Sequence, residues 1–258
     1  MKIIQFLFSP TGGTKKVCDL VCREFSGEAL TVDLMKQDFC AEKVEVEADD
    51  LCVFAVPSFG GRVPAPAAER IGSLKGNGAK AVLISVFGNR ASDDTLAELR
   101  DLTVNAGFAP AAAMEAVAEH SIMRQYGSGR PDAEDRKELQ AFGQQIWKAV
   151  TGEATLSEPE IPGNRPYRKY SGVPLHPKAG KNCSGCGVCA GVCPVGAISK
   201  ENPRETDTKK CITCMACEAA CPDHARSLNS VMLAVASQGM KKVCSTRKEN
   251  RLYLAQQG

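Results

Sequence analysis

Apolar and polar residues alternate in blocks along the first 150 residues. Short apolar, β-branched runs stand at 3–8, 29–34, 51–56, 79–87 and 111–117. Between them, stretches with helical character fall at 14–25, 66–74, 93–106 and 132–150. Runs of continuous apolar character suit strands buried on both faces. Strands alternating with helices predict an α/β domain with a five-stranded parallel sheet and helices on both faces. The right-handed crossover rule leaves few ways to connect it.

The pattern breaks after residue 150. Residues 151–180 hold Pro159, Pro162, Pro166, Pro174 and Pro177 with Gly152, Gly163, Gly172 and Gly180 and keep no period, so they predict a surface linker. Residues 181–230 are rich in cysteine and form a second, small α+β unit in this reading. Residues 231–258 begin with an apolar patch at 231–236 and continue with Lys241, Lys242, Arg247, Lys248 and Arg251. That pattern predicts a helical extension with a solvated basic face, or a docking patch for an acidic redox partner.

Composition narrows the class. The chain has 258 residues, 43% hydrophobic and 24% charged, as a folded globular protein does. A formal net charge of +2 gives no basic excess for nucleic acid. The longest apolar runs stay under ten residues, so no membrane span is expected. The N-terminus reads as a strand and not as a signal peptide, which points to a cytoplasmic protein. Thirteen cysteines, eight of them between Cys183 and Cys221, then imply metal or redox chemistry instead of disulfides.

The eight follow a repeated spacing. Cys183-x2-Cys186-x2-Cys189-x3-Cys193-Pro194 is followed by Cys211-x2-Cys214-x2-Cys217-x3-Cys221-Pro222. Each copy is the bacterial ferredoxin run, in which three cysteines wrap one cubane and the fourth ligates the other. One [4Fe-4S] cluster is thereby expected on Cys183, Cys186, Cys189 and Cys221, and a second on Cys211, Cys214, Cys217 and Cys193. Gly185, Gly187, Gly191 and Gly196 suit a backbone passing close to inorganic sulfur. Structural zinc favours separated C-x2-C pairs over three cysteines at equal gaps. Two oxidised clusters of about −2 each would turn the chain mildly acidic. Cys18, Cys22, Cys40, Cys52 and Cys244 lie outside these runs, and Cys18 and Cys22 read as core packing.

A second motif follows the first strand. Ser9, Pro10, Thr11, Gly12, Gly13 and Thr14 lead straight into a helix. Small residues and hydroxyls at a helix start gather donors around an anion. The fingerprints of nucleoside triphosphatases and dinucleotide folds are absent, so the loop suits a terminal monophosphate such as that of FMN. Two more loops follow strands three and four: Pro57, Ser58, Phe59, Gly60, Gly61, Arg62, and Phe87, Gly88, Asn89, Arg90. In a flavodoxin-like strand order these three loops line one crevice, where that fold binds FMN. Phe59 is expected near the ring face, with the Gly60, Gly61, Gly88 and Asn89 amides at its polar edge. His120, past the fifth strand, reads as structural, and Arg62 stays open between surface charge and site.

These loops, with the twin ferredoxin runs behind them, resemble the flavodoxin–ferredoxin fusion family of small iron–sulfur flavoproteins. The resemblance implies an FMN domain at 1–150 joined to a two-cluster domain at 181–230, passing electrons to redox partner proteins. Phe59 and Phe87 stand where family members often carry tyrosine, and no aromatic stands near Ser92. Two other readings remain open: an FMN-dependent reductase of a small substrate, and an FMN-free docking scaffold carrying a ferredoxin domain.

Overall fold

A computed structural model describes residues 1–152 and 157–254. The stretches 153–156 of the expected linker and 255–258 of the expected extension lie outside the described residues.

Five parallel strands form the body of the sheet: β1 (Ile3–Leu7), β2 (Ala29–Asp33), β3 (Leu51–Pro57), β4 (Lys80–Phe87) and β5 (Ala109–Val117). They lie in the order β2-β1-β3-β4-β5, so the chain reverses direction between β1 and β3. This is the doubly wound, flavodoxin-like order. The alternation of side chains along each buried strand builds two cores. Ile3, Leu51, Val53, Val82, Ile84 and Met114 face helices α1 (Gly13–Cys22) and α4 (Ala133–Thr151). Ile4, Phe6, Phe54, Leu83 and Ala113 face α2 (Ala65–Gly72) and α3 (Thr95–Asn105).

The C-terminal region departs from the expected helical extension. Helix α7 (Ser230–Cys244) ends early, and Arg251–Leu254 forms β8, antiparallel to β5. The physical reason is an open sheet edge. β5 would otherwise present unpaired N–H and C=O groups, and Leu252, Tyr253 and Leu254 can cover them. The Asn250 side chain accepts from Val117 N–H at 2.9 Å, and Tyr253 donates to Glu115 at 2.9 Å. The sheet therefore has six strands instead of five.

Between α4 and α7 lie the two cysteine runs. They carry the one-turn helices α5 (Val188–Gly191) and α6 (Ala216–Ala219), flanked by the short antiparallel pair β6 (Lys178–Ala179) and β7 (Arg226–Ser227). Residues 157–177 have no helix or strand, yet they are pinned along α3. Asp94 accepts from the N–H groups of Asn164 and Arg168 at 2.8 and 2.7 Å, and Asp101 binds the Arg165 guanidinium at 2.6 and 2.8 Å.

Candidate functional site

The C-terminal ends of β1, β3, β4 and β5 meet at one edge of the sheet, and their loops form the site. After β1, Gly12 takes a left-handed φ of 84° and starts α1. The first-turn amides of a helix have no acceptor within it. Here Lys15 N–H is met by Ser9 Oγ at 2.9 Å, while Lys16 N–H closes the first turn on Gly12 O at 3.0 Å. Gly13 is tight for a different reason: a Cβ there would stand 3.2 Å from Ala118 Cβ.

After β3, Gly60 and Gly61 both have positive φ, at 59° and 85°, and Phe59 and Arg62 exchange backbone hydrogen bonds across them. That is a tight two-residue turn. Tyr170 from the 157–177 strap packs against Gly60, and Asp93 and Arg168 pack against Gly61. Arg62 is held by Glu98, with bonds of 2.6 and 2.7 Å, and lies 5.0 Å from the Tyr167 ring centre. Its charge therefore braces the loop through Glu98.

After β4, Gly88 lies directly against His120. The His120 Nδ1 accepts from Ile122 and Met123 N–H at 3.1 and 3.2 Å, so the ring's remaining proton belongs on Nε2. Burial, aided by nearby Arg90, pushes its pKa down and keeps the ring neutral. Asn89 and Arg90 turn away from the loop edge. Asn89 is buried and binds the carbonyls of Cys244 and Thr246 at 2.6 and 3.0 Å, and Arg90 pairs with Asp93.

Between these loops runs a cleft. Its inner end is a narrow slot of about 60 Å³, lined by Thr11, Gly13, Thr14, Pro57, Ser58, Phe59, Phe87 and Gly88 from the predicted set. Ala118, Glu119, His120 and Ser121 close it from the β5 side, and Cys214 of the second cysteine run forms part of the wall. A second cavity of about 320 Å³ shares Thr11, Gly13, Glu119 and Ser121 with the slot and adds Lys16, Arg124, Arg130 and Arg136. Ser9, Gly12, Gly60, Gly61, Asn89 and Arg90 belong to the same loops without lining the slot.

The two cysteine runs repeat in conformation as well as in spacing. Gly185, Gly187 and Gly196 have φ of 78°, 79° and 60°; their counterparts Thr213, Met215 and His224 have 53°, 67° and 47°. Left-handed backbone is costly for a β-branched residue such as Thr213, so the turn itself is what both copies preserve. Gly191 is different and simply ends α5. In both copies the fourth cysteine accepts a backbone N–H: Ala197 to Cys193 at 3.3 Å and Ala225 to Cys221 at 3.2 Å. Cys193 lies close enough to Cys211, Cys214 and Cys217 to raise their thiols, and Cys189 does the same to Cys217, so the two runs pack against each other. Burial is the main cause that pushes the Cys214 thiol up to about 12 and Cys217 to about 11. Such thiols become thiolates only when a metal displaces their protons. Among the described residues, no three His, Cys, Asp or Glu side chains close on a single ion. A cubane instead spreads its thiolates over separate irons.

Polar contacts join the runs to the sheet. Gln37 donates to the carbonyls of Ala190 and Cys193 at 3.1 and 2.7 Å, and Arg70 to Pro194 O at 2.7 Å.

Residues 182–226 match the 4Fe-4S dicluster domain family. The chain thus joins a flavodoxin-like α/β fold to a ferredoxin-type iron–sulfur segment. Among curated proteins, a trichloroethene reductive dehalogenase of Dehalococcoides mccartyi is 41% identical over 63 residues, 19% of this chain and 11% of its own length. The chain thus spans about a tenth of that relative. Among solved structures, Megasphaera elsdenii flavodoxin is 19% identical, with 58% of this chain and 100% of that chain covered at a TM-score of 0.39. A flavodoxin of Streptococcus pneumonia TIGR4 is 15% identical, covering 56% and 95% at a TM-score of 0.38. Among the described residues, no helix is long and apolar enough to cross a membrane.

The slot is also lined by Ala118, Glu119, His120, Ser121 and Cys214, none of which the loop motifs mark as a flavin contact. Glu119 and Ser121 follow the fifth parallel strand, whose end lies at the same edge, so the strand order was a usable signal. Cys214 has no local signal for facing the cleft, because only the docking of the second run brings it there.

Proposed function

We propose that this chain is an electron-transfer iron–sulfur flavoprotein that binds two [4Fe-4S] clusters and FMN. The observation that carries the reading is Cys214, which belongs to a four-cysteine set and also lines the slot between the β1, β3 and β4 loops. A cluster ligand in the wall of a flavin site puts the two redox groups next to each other. When bound, clusters exchange single electrons, whereas FMN accepts one or two, so together they match one-electron and two-electron partners.

The residues have separate tasks in this reading. The amides of Gly13 and Thr14 and the hydroxyls of Thr11 and Thr14 hold the phosphate, with Lys16, Arg124 and Arg136 offsetting its charge from the adjoining cavity. Phe59 and Phe87 flank the ring. His120 presents a fixed Nε2–H donor from the β5 side. Cys193, Cys211, Cys214 and Cys217 carry the cluster nearer the flavin. Cys183, Cys186, Cys189 and Cys221 carry the outer one, where Cys186 is exposed to an approaching redox protein.

The test is cofactor analysis of protein prepared without oxygen. It should hold about eight irons per chain, as two complete ligand sets require, together with one FMN. Gly13→Val should lose FMN while keeping its iron, because a larger side chain would drive into Ala118. Bound zinc in place of iron refutes the cluster assignment. Failure to take up FMN refutes the flavin assignment and leaves the docking-scaffold reading.

A further inference from the structure

A further cavity lies next to the slot. Its volume is about 480 Å³, within the range of small-molecule sites. Three separate segments wall it: the β3 loop with the start of α2, the strap at Ser171, and the second cysteine run at 209–212. Phe59 lines both this cavity and the slot, and Cys211 lines this one. The walls are fastened to one another. Val63 N–H donates to Glu98 at 2.8 Å, and Arg62 donates to Arg168 O of the strap at 3.0 Å. Thr213 of the second run donates to Leu175 O of the strap at 2.7 Å. Room remains between them because Pro64, Ala65, Ala68, Ser171 and Gly172 in the lining are small.

The lining has an apolar part and a charged part. Phe59, Val63, Pro64, Ala68 and Ile212 supply the first. In the second, Arg62 and Glu98 bind each other at 2.6 and 2.7 Å and leave no net charge. The lysines are different. The Lys209 side chain has no partner among the described residues, and Lys210 reaches Asp207 only at 3.9 Å, with both side chains exposed. Asp207 Oδ1 is taken by the backbone N–H groups of the same two lysines, at 2.9 and 3.3 Å. The Tyr170 hydroxyl, also in the lining, has no partner among the described residues either. Ammonium groups and a hydroxyl without acceptors, set beside an apolar wall, are complementary to an acid with an apolar body. Two aromatic residues in the lining, Phe59 and Tyr170, favour a flat one.

We propose that this cavity binds a small aromatic carboxylic acid, with its ring against the apolar wall beside Phe59 and its carboxylate at Lys209, Lys210 and the Tyr170 hydroxyl. Binding itself depends on these walls alone. The acid's nearness to two redox groups, through Phe59 and Cys211, rests on the electron-transfer reading above.

The test is calorimetric titration of protein prepared without oxygen, using benzoate, cinnamate and naphthoate and the neutral amide of each. Iron and flavin are counted on the same sample, so a failure of the cofactor reading shows separately. At least one acid should bind saturably, one per chain, and about fivefold or more tightly than its amide, the scale of one exposed ion pair. The double variant Lys209→Gln, Lys210→Gln removes only exposed charge. It should erase the preference for the acid and leave the affinity for the amide within about twofold. Ala65→Phe, at the exposed first residue of α2, adds a ring to the lining and should weaken acid and amide alike. Saturable binding by none of the three acids overturns the proposal. Equal affinity for acid and amide in the wild type overturns it as well. So does a full preference for the acid in the double variant, or unchanged binding in Ala65→Phe, since either puts the ligand elsewhere.

Discussion

Gly88→Ala probes how closely the β4 and β5 loops are fitted. A Cβ at Gly88 would lie 2.7 Å from His120 Cα and 2.8 Å from its Cβ and Cδ2, where ordinary contact begins at 3.4 Å. The shortfall is about 0.7 Å and one offending atom is backbone, so turning the imidazole cannot relieve it. The backbone cannot yield freely either. His120 N–H donates to Tyr126 O at 3.0 Å, and the ring is bonded to the amides of Ile122 and Met123. Forcing extra volume into such a site costs about 1–3 kcal/mol. Trp147 offers the readout, since it is the chain's single tryptophan and stacks on Phe25 with ring centres 5.5 Å apart. With a urea slope of about 2–3 kcal/mol per molar, the midpoint should fall by about 0.3–1.5 M at unchanged slope. FMN affinity should fall with it, because Gly88 and His120 both line the slot. Gly72→Ala is the control. It lies at the end of α2 with nothing within 4 Å of the new Cβ, so its midpoint should hold or rise. If Gly88→Ala unfolds no earlier than Gly72→Ala, the loops are not packed as described.

Two further outcomes follow from the charged groups. Arg130 and Asp135 form a two-pronged pair with side chains 5% and 1% exposed, and Asn250 also donates to Asp135 at 3.0 Å. Asp135→Ala leaves Arg130 buried and unpaired, so it should destabilise by about 3–5 kcal/mol and speed hydrogen exchange in β8; exchange at the wild-type rate would show that the pair does not anchor that strand. Acid stability gives the other. Arg165 heads the groups that hold Asp101 below the usual carboxylate range, and Arg100 does the same for Glu158. A depressed carboxylate contributes stability above its unfolded pKa and loses it as pH falls through the folded value, so the midpoint should drop below about pH 4. His120, whose pKa burial lowers, adds a smaller decline as pH falls below about 6.5, because the unfolded chain takes up that proton first. A midpoint flat from pH 7 to about 3 would contradict both signs.

The parallel sheet was legible because its central strands β3 and β4 are continuous apolar runs and helical stretches alternate with the strands, whereas edge strand β2 is largely exposed. The loops that meet at its edge were legible for the same reason, since strand order alone places them together. Local signals failed where tertiary partners decide the outcome. Asn89 sits in a loop at the sheet edge, yet its side-chain amide is spent on the 244–248 turn, which no local pattern shows. Arg251–Leu254 follows a run of basic residues that reads as a helix face, but an open edge on β5 recruits it as a strand. The first cysteine run makes its left-handed turns at glycines; the second run makes the same turns with Thr213, Met215 and His224, where residue type alone points elsewhere.

The path of the chain explains how Cys214 comes to lie in the wall of the slot. An appended domain would leave the sheet once and hang from one connection. Here the cysteine runs leave the sheet by a strap fastened to α3 through Asp94 and Asp101, and they return to it through β8 on the edge of β5. They are in effect an insertion ahead of the last strand. Between those two ends, Gln37 and Arg70 bind carbonyls of the first run, and Thr213 of the second run donates to Leu175 O of the strap at 2.7 Å. Fixing both ends of an inserted segment limits the arrangements that it can sample. Electron transfer needs that limit more than it needs any catalytic side chain, because the separation of two redox groups is set by the scaffold and cannot be corrected by a local acid or base. Asp94, Asp101 and β8 touch neither the slot nor the cysteines, and on this argument they act on function by holding Cys214 where it is.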